Sequence, residues 1–163
     1  MKTLLIVYHS MTGGALQMAR AAAAGARTET ALHVSLQRAE DTQAADVLNA
    51  DGIIFATPEN LAAMSGKMKD FFDRTYYAVL DRVNGKPYGT LICAGSDGRN
   101  AALQIERIAT GWRLRPIAEP IIVCTHAQTP EQILQPKSLA AEDLRLCAEL
   151  GATLAAGLHL GIF

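Results

Sequence analysis

The stretch that decides the fold is TLLIVYHSMTGGA, residues 3–15. Its first six residues are almost all apolar, and six residues are too few for a buried helix. We therefore predict a strand that is covered on both faces. Two hydroxyl residues and two glycines follow, and an alanine-rich segment with helical composition begins at Gly14. A strand, a glycine-rich turn and a helix in this order indicate a βαβ unit and hence a parallel sheet.

The rest of the chain repeats this alternation of strands and helices. The predicted strands cover residues 3–8, 31–36, 51–57, 88–94 and 117–124, and the predicted helices cover residues 14–24, 41–48, 66–80, 100–112 and 139–158. Gly25 is interpreted as the stop signal of the first helix, and residues 125–137 as a loop. Right-handed crossovers then predict an α/β fold, a doubly wound five-stranded parallel sheet of order 2-1-3-4-5. We expect residues 1–163 to form one domain.

The composition excludes several classes of function. Half of the residues are hydrophobic and 19% are charged, which is ordinary globular usage. A formal net charge of -1 is too small to indicate binding to nucleic acid or to an anionic membrane. The chain start lacks a signal-peptide cleavage site, so the cytoplasm is the expected location. Cys93, Cys124 and Cys147 show no metal-binding spacing, and we predict that they are core thiols.

Three loops are predicted to meet at the carboxyl edge of the sheet, where open α/β folds bind their ligands. The first loop contains Ser10, Thr12 and two glycines, and it leads into a helix N-terminus. Glycines let backbone amides approach an anion, hydroxyls donate, and the helix dipole favours negative charge, so we predict a phosphate site. The chain has no GxGxxG here and no P-loop lysine, which disfavours a dinucleotide or a triphosphate. A polar turn with a helix cap is the alternative.

The second and third loops follow the third and fourth predicted strands. The second is TPENLAAMSGKMKDFFDR, residues 57–74, in which Pro58 fixes the chain as it leaves the strand. Ser65 is predicted to cap the next helix, and Met64, which precedes that helix, is predicted to face a bound ring. The third loop is AGSDGRN, residues 94–100, whose two glycines permit close approach to a flat ligand.

These loops resemble those of the flavodoxin-like superfamily. Ser10, Thr12 and Gly13 match its phosphate loop, roughly Ser/Thr-x-Thr-Gly-x-Thr, and Ala15 stands where the final hydroxyl residue is expected. Residues 57–74 resemble the Thr-Pro and Met-Ser-Gly-x-Met-Lys pattern of two reductase families. These are the NAD(P)H:quinone reductases of the Trp repressor-binding protein type and the NADPH-dependent FMN reductases. The resemblance extends to about residue 123 and implies a flavodoxin-like fold that binds FMN.

The resemblance also implies which residues contact the FMN. They come from the three loops and are Ser10, Met11, Thr12, Gly13, Gly14, Ala15, Pro58, Glu59, Asn60, Leu61, Ala62, Met64, Ala94, Gly95, Ser96, Asp97, Gly98 and Arg99. Arg99 is expected either to pair with a flavin carbonyl or a nicotinamide phosphate, or to lie in solvent. No catalytic side chain and no metal ligand is predicted, because the flavin carries the redox chemistry.

The hypothesis that follows is an FMN-dependent oxidoreductase that passes electrons from NAD(P)H to a quinone-like or other small acceptor. A flavodoxin-type one-electron carrier is the first alternative. The near-neutral charge and the lack of ring-flanking aromatic residues, with Leu61 at one such position, disfavour it. A flavodoxin-like binding module without catalysis is the second alternative. Related reductases are dimers or tetramers, so a homo-oligomer is expected.

Overall fold

The computed structural model describes residues 1–163 and shows a mainly parallel sheet with helices on both faces. The strands are β1 (Lys2–Tyr8), β2 (Leu32–Arg38), β3 (Gly52–Asn60), β4 (Ala63–Met64), β5 (Pro87–Ala94), β6 (Arg115–Pro116) and β7 (Ile121–Cys124). The helices are α1 (Gly14–Ala26), α2 (Ala44–Asn49), α3 (Gly66–Val79), α4 (Arg99–Gly111), α5 (Pro130–Leu134) and α6 (Ala141–Leu160). None of these helices combines the length and the apolar character that crossing a bilayer requires.

The strand order is β2-β1-β3-β5, with parallel pairing throughout, and β6 and β7 both pair with β5. This order confirms the doubly wound, flavodoxin-like sheet that the alternation predicts. The predicted fifth strand is wrong in its first half, because residues 117–120 separate β6 from β7. Pro120 has no amide hydrogen to donate to a strand ladder, so regular pairing resumes only at Ile121.

The two faces of the sheet bury different kinds of side chain. Helices α2, α3 and α4 cover one face, and its core holds an aromatic cluster made of Phe55, Phe71, Phe72, Tyr88 and Trp112. Their ring centroids lie 5.1 to 6.5 Å apart. Helices α1 and α6 cover the other face, whose buried core is alanine-rich and contains no aromatic residue. Large rings therefore fill one layer, and small side chains let the helices approach closely in the other.

Helices α1 and α6 cross in close backbone contact. A Cβ atom on Gly25 would lie 1.9 Å from the carbonyl oxygen of Ala148, and a Cβ atom on Gly151 would lie 1.9 Å from that of Ala22. The interpretation of Gly25 as a helix stop is therefore wrong. Helix α1 continues to Ala26, and Gly25 is needed because α6 passes directly over it. This contact fixes helix α1, whose first turn enters the site described below.

Candidate functional site

A cavity opens at the carboxyl ends of β1, β3 and β5, where the three predicted loops meet. Its lining residues are Ser10, Met11, Thr12, Gly14, Ala15, Pro58, Glu59, Asn60, Cys93, Ala94, Gly95, Thr125, Ala127, Ile133, Leu134 and Lys137. The structure thus brings together ten of the residues that the sequence proposes for the site. The remaining eight, which do not line this cavity, are Gly13, Leu61, Ala62, Met64, Ser96, Asp97, Gly98 and Arg99.

The first loop presents unpaired backbone amides to the cavity. Gly13 has a φ of 93°, and its amide donates to the Ser10 hydroxyl oxygen over 3.0 Å. Helix α1 begins at the next residue and has no side-chain cap. The amides of Gly14 and Ala15 therefore belong to the first helical turn, where no carbonyl four residues earlier accepts from them. A helix N-terminus of this kind attracts an anion.

Gly14 lies directly on the end of strand β5. A Cβ atom at this position would lie 2.3 Å from the Sγ atom of Cys93 and 3.4 Å from its Cβ atom. The missing side chain of Gly14 therefore lets the first loop rest on the cavity floor. Burial raises the pKa of the Cys93 thiol to about 11, so this sulfur stays neutral near pH 7. The thiol fills space beneath the loop and has no features of a nucleophile.

The second loop is a β-hairpin. Strand β3 continues past Pro58 to Asn60, and β4 pairs with it in the antiparallel sense. The two turn residues, Leu61 and Ala62, have φ angles of 51° and 61°. Two positive φ angles are typical of a type I′ turn, for which Asn-Gly is preferred and a branched residue such as leucine is unfavourable.

Two side chains of α4 hold this hairpin in place. The Asn100 side chain donates to the carbonyl oxygen of Ala62, and the Gln104 side-chain oxygen accepts from the Met64 amide over 2.9 Å. The Met64 side chain is buried in the aromatic-rich core and does not line the cavity. Leu61 is fully exposed at the hairpin tip. Helix α4 therefore stabilises a turn whose two central residues, Leu61 and Ala62, are unfavourable for it.

Replacing Leu61 and Ala62 by Asn and Gly should stabilise the protein. A non-glycine residue at positive φ costs roughly 1 to 3 kcal/mol, and Asn-Gly removes most of this cost at both positions. We expect the free energy of unfolding to rise by about 1 to 2 kcal/mol in urea denaturation. Leu61→Ala is the matched control, because it removes the exposed side chain and keeps the unfavourable φ. An equal gain in this control would contradict the turn explanation.

The third loop places Arg99 away from the cavity. The guanidinium of Arg99 is exposed and donates to the Asp97 carboxylate over 2.6 Å. This hydrogen bond lowers the pKa of Asp97. Contact of Arg99 with a flavin carbonyl or a nicotinamide phosphate stays a prediction. The cavity is approached instead by Ala94 and Gly95, which also accept hydrogen bonds from the amides of Thr125 and His126.

A polar network joins the ends of two strands beneath the first loop. His9 Nδ1 lies 2.8 Å from the Ser65 hydroxyl oxygen, which in turn lies 3.1 Å from the Thr57 hydroxyl oxygen. The Ser65 oxygen also accepts from the Met68 amide, which confirms the predicted cap of α3. Ser65 and Thr57 are fully buried. The network therefore fixes the start of the first loop relative to the second.

His9 should make stability depend on pH. Burial lowers its pKa below the ordinary value of 6.5, with the nearby Glu40 carboxylate acting in the opposite direction. The neutral imidazole is therefore favoured in the folded state. Its contribution to stability is fully present above the ordinary pKa and is lost as the pH falls toward the lowered one. Urea denaturation at several pH values should show this loss, and His9→Asn should flatten the curve in that range. An unchanged slope in His9→Asn would assign the effect to another group.

The segment after β7 forms a wall of the cavity that the sequence did not predict. Thr125, Ala127, Ile133, Leu134 and Lys137 all line the cavity. Residues 125–137 contain the short helix α5, so the prediction of a plain loop is incomplete. A capping box begins this helix: the Thr129 side chain accepts from the Gln132 amide, and the Gln132 side chain accepts from the Thr129 amide. Thr-Pro followed by Gln was the sequence signal for it.

Comparisons with known proteins place the chain among flavoproteins and their relatives. Residues 8–129 match the family model described as NADPH-dependent FMN reductase. A protein of Acidithiobacillus ferrooxidans named NAD(P)H dehydrogenase (quinone) is 36% identical over 46% of this chain and 48% of its own length. A protein of Aquifex aeolicus named flavodoxin is 36% identical over 59% of this chain and 50% of its own length. The chain spans about half the length of these curated relatives.

Solved structures agree with the fold over nearly the whole chain. A flavodoxin from the Archaea has a TM-score of 0.78 at 21% identity and covers 96% of this chain and 99% of its own. A flavodoxin, described as WrbA-like, from Agrobacterium tumefaciens has a TM-score of 0.74 at 19% identity, covering 98% and 99%. Identities this low support a common fold.

Proposed function

Because the chain belongs to the NADPH-dependent FMN reductase family of flavodoxin-like oxidoreductases, we propose that it passes electrons from NAD(P)H, through bound FMN, to a quinone-like or other small acceptor. Residues 1–163 act as one FMN-binding domain in this proposal. The observation that carries it is the set of residues that line the cavity at the carboxyl edge. The first loop contributes unpaired amides, and apolar side chains line the rest together with a few polar groups.

The first loop suits the phosphate of FMN. The amides of Gly14 and Ala15 are unpaired, and the hydroxyls of Ser10 and Thr12 line the same end of the cavity. Ala15 offers an amide but no hydroxyl, so one side-chain donor of the superfamily pattern is absent. A Cβ atom on Gly14 would occupy the space above the Cys93 thiol. These features fit a phosphate monoester held mainly by backbone amides.

The rest of the cavity suits the flavin ring. Met11, Pro58, Ile133 and Leu134 provide apolar surface, while Glu59 and Asn60 provide polar groups at one edge. The lining contains no aromatic side chain. A ring bound here would have no aromatic stacking partner among the lining residues, and a nicotinamide or a flat acceptor needs an uncovered ring face. This feature favours a reductase over a carrier whose flavin is covered.

Bound FMN supplies the hydride and electron transfer, and the protein supplies binding, orientation and electrostatics. The first loop would hold the phosphate through its amides. The Asn60 side-chain amide, which lies 3.1 Å from the Met11 sulfur, and the Glu59 carboxylate would provide polar contacts to the bound group. The exposed side chains of Ile133 and Leu134 would add apolar contact surface. No side chain of this site needs to donate or accept a proton.

The test begins with wild-type protein that is saturated with FMN, desalted and examined by visible absorption. We expect a retained flavin spectrum, followed by bleaching of the visible band when NADH or NADPH is added without oxygen. A quinone added next should restore the band. A colourless protein after desalting would overturn the proposal and support a flavin-free binding module.

The flavodoxin-type carrier is a second candidate, since one curated relative is named flavodoxin. A carrier would retain FMN but would be reduced by a partner protein, and NADH and NADPH would leave its spectrum unchanged. The formal net charge of -1 gives little attraction to a basic partner surface. Assembly into a homodimer or tetramer stays a prediction, which size-exclusion chromatography with light scattering would test.

A further inference from the structure

Backbone hydrogen bonds connect Lys137 to the first loop and to the first turn of α1. Its amide donates to the Thr12 carbonyl oxygen over 2.8 Å, and its own carbonyl accepts from the Gln17 side chain over 2.7 Å. The same Gln17 nitrogen donates to the Gly13 carbonyl oxygen over 2.9 Å. The Lys137 Cβ atom lies 3.7 Å from the position that a Cβ atom on Gly14 would occupy. Lys137 therefore belongs to the phosphate end of the cavity, although it lies far away in sequence.

Lys137 is also the only cationic residue that lines the cavity. The other charged lining residue is Glu59, which is anionic. Residues 9–15 contain no lysine or arginine, and the pKa of His9 is lowered, so the first loop brings no permanent positive charge of its own. A phosphate dianion in this loop would find one neutralising side chain, and that side chain comes from the segment after β7.

The Lys137 ammonium is held at the end of α5. It donates to the carbonyl oxygens of Gln132, Ile133 and Gln135 over 2.9, 2.8 and 2.6 Å. These oxygens carry negative partial charge, which the ammonium offsets. The positive charge of the ammonium also acts on the Cys93 thiol at the cavity floor: burial raises the pKa of this thiol, and the charge of Lys137 acts in the opposite direction. Its position is set by the fold before a ligand arrives.

From this placement, which rests on the proposed function, we infer that Lys137 is the residue by which the cavity selects a phosphorylated flavin over an uncharged one. The ammonium acts as a positive charge beside the phosphate, and it replaces the interaction that the superfamily obtains from a hydroxyl at position 15. The apolar walls then bind the ring with the same affinity whether or not the phosphate is present. The ligand class that requires Lys137 is the phosphate monoester.

The experiment compares the affinities of FMN and riboflavin, measured by quenching of flavin fluorescence. Lys137→Gln keeps an amide that can donate to the carbonyls of α5 and removes the charge. We expect it to weaken FMN binding roughly 10- to 100-fold, because a positive charge near the phosphate is lost, and to change riboflavin binding by less than about twofold. Lys137→Arg keeps the charge and should retain most of the FMN affinity. Inorganic phosphate should compete with FMN in the wild type and much less in Lys137→Gln.

The matched control is Lys2→Gln, which also removes one positive charge. Lys2 pairs with Asp51 at the amino end of β1, at the opposite edge of the sheet, so both affinities should stay unchanged. An equal loss of FMN and riboflavin affinity in Lys137→Gln would overturn the inference, because it would show that Lys137 only supports α5. Full FMN affinity in that variant would overturn it as well. A wild type that binds riboflavin but shows no preference for FMN would overturn the inference alone. A wild type that binds neither flavin would overturn the proposed function.

Discussion

Gly25→Ala is expected to lower the free energy of unfolding by about 3 kcal/mol or more, at the upper end of the range for overpacked cores. The added Cβ atom would lie 1.9 Å from the Ala148 carbonyl oxygen, and 2.6 and 2.9 Å from its carbonyl carbon and Cα atom. These are backbone atoms, so no change of rotamer can relieve the clash. Helices α1 and α6 would have to separate along their whole crossing. Urea denaturation followed by far-UV circular dichroism measures the effect.

Gly66→Ala is the matched control for this prediction. Gly66 is also a helical glycine, but it lies in the first turn of α3 and a Cβ atom there would meet nothing within 4 Å. We expect a change of less than about 1 kcal/mol, in the stabilising direction, because alanine restricts the unfolded chain more than glycine does. Equal destabilisation by both substitutions would show that the crossing of α1 and α6 is not the cause.

Gly14→Ala is expected to weaken FMN binding roughly 10- to 100-fold, since an overpacked methyl group typically costs about 1 to 3 kcal/mol. The new Cβ atom would lie 2.3 Å from the Cys93 Sγ atom. Either the thiol must leave its buried position or the first loop must lift from the floor, and a lifted loop moves the amides that hold the phosphate. Fluorescence titration with FMN measures the loss.

The double variant Gly14→Ala with Cys93→Ala separates these causes. Removing the sulfur leaves the Cβ atom of residue 93, which lies 3.4 Å from the added methyl group, close to ordinary van der Waals contact. The double variant should therefore recover most of the FMN affinity that Gly14→Ala loses. Cys93→Ala alone serves as the control, and its FMN affinity should stay close to that of the wild type. A double variant that binds FMN no better than Gly14→Ala would contradict the proposed clash.

The sheet could be predicted because its strands are continuous apolar runs. Leu4 and Ile54 are buried on one face of the sheet and Leu5 on the other. Because both faces are covered, the strands read as continuous apolar runs without polar alternation. Gly25 shows the limit of the same reasoning. A glycine at a helix end and a glycine at a helix crossing look alike in sequence, and the distinguishing partner, Ala148, lies on α6. Only the assembled layers show which role applies.

The parts of the site that are formed by residues adjacent in sequence could be predicted, and the parts that depend on distant residues could not. The first loop was found because hydroxyls, glycines and a helix start are adjacent in sequence. The hairpin was not, because Leu61 and Ala62 are poor residues for its turn and are held by Asn100 and Gln104 on a separate helix. The wall from residues 125–137 was missed for a similar reason. Its position depends on hydrogen bonds between Lys137, Gln17 and Thr12 that join distant parts of the chain.

The confinement of the aromatic cluster to one layer makes the two halves of the molecule spectroscopically distinct. Trp112 is the only tryptophan; it is fully buried, and it stacks on Tyr76 with ring centroids 5.8 Å apart. Its fluorescence emission therefore monitors the layer of α2, α3 and α4. The layer of α1 and α6 contains no tryptophan and contributes little to this signal. Circular dichroism detects both. If the two transitions fail to coincide during denaturation, the layers lose their structure in separate steps.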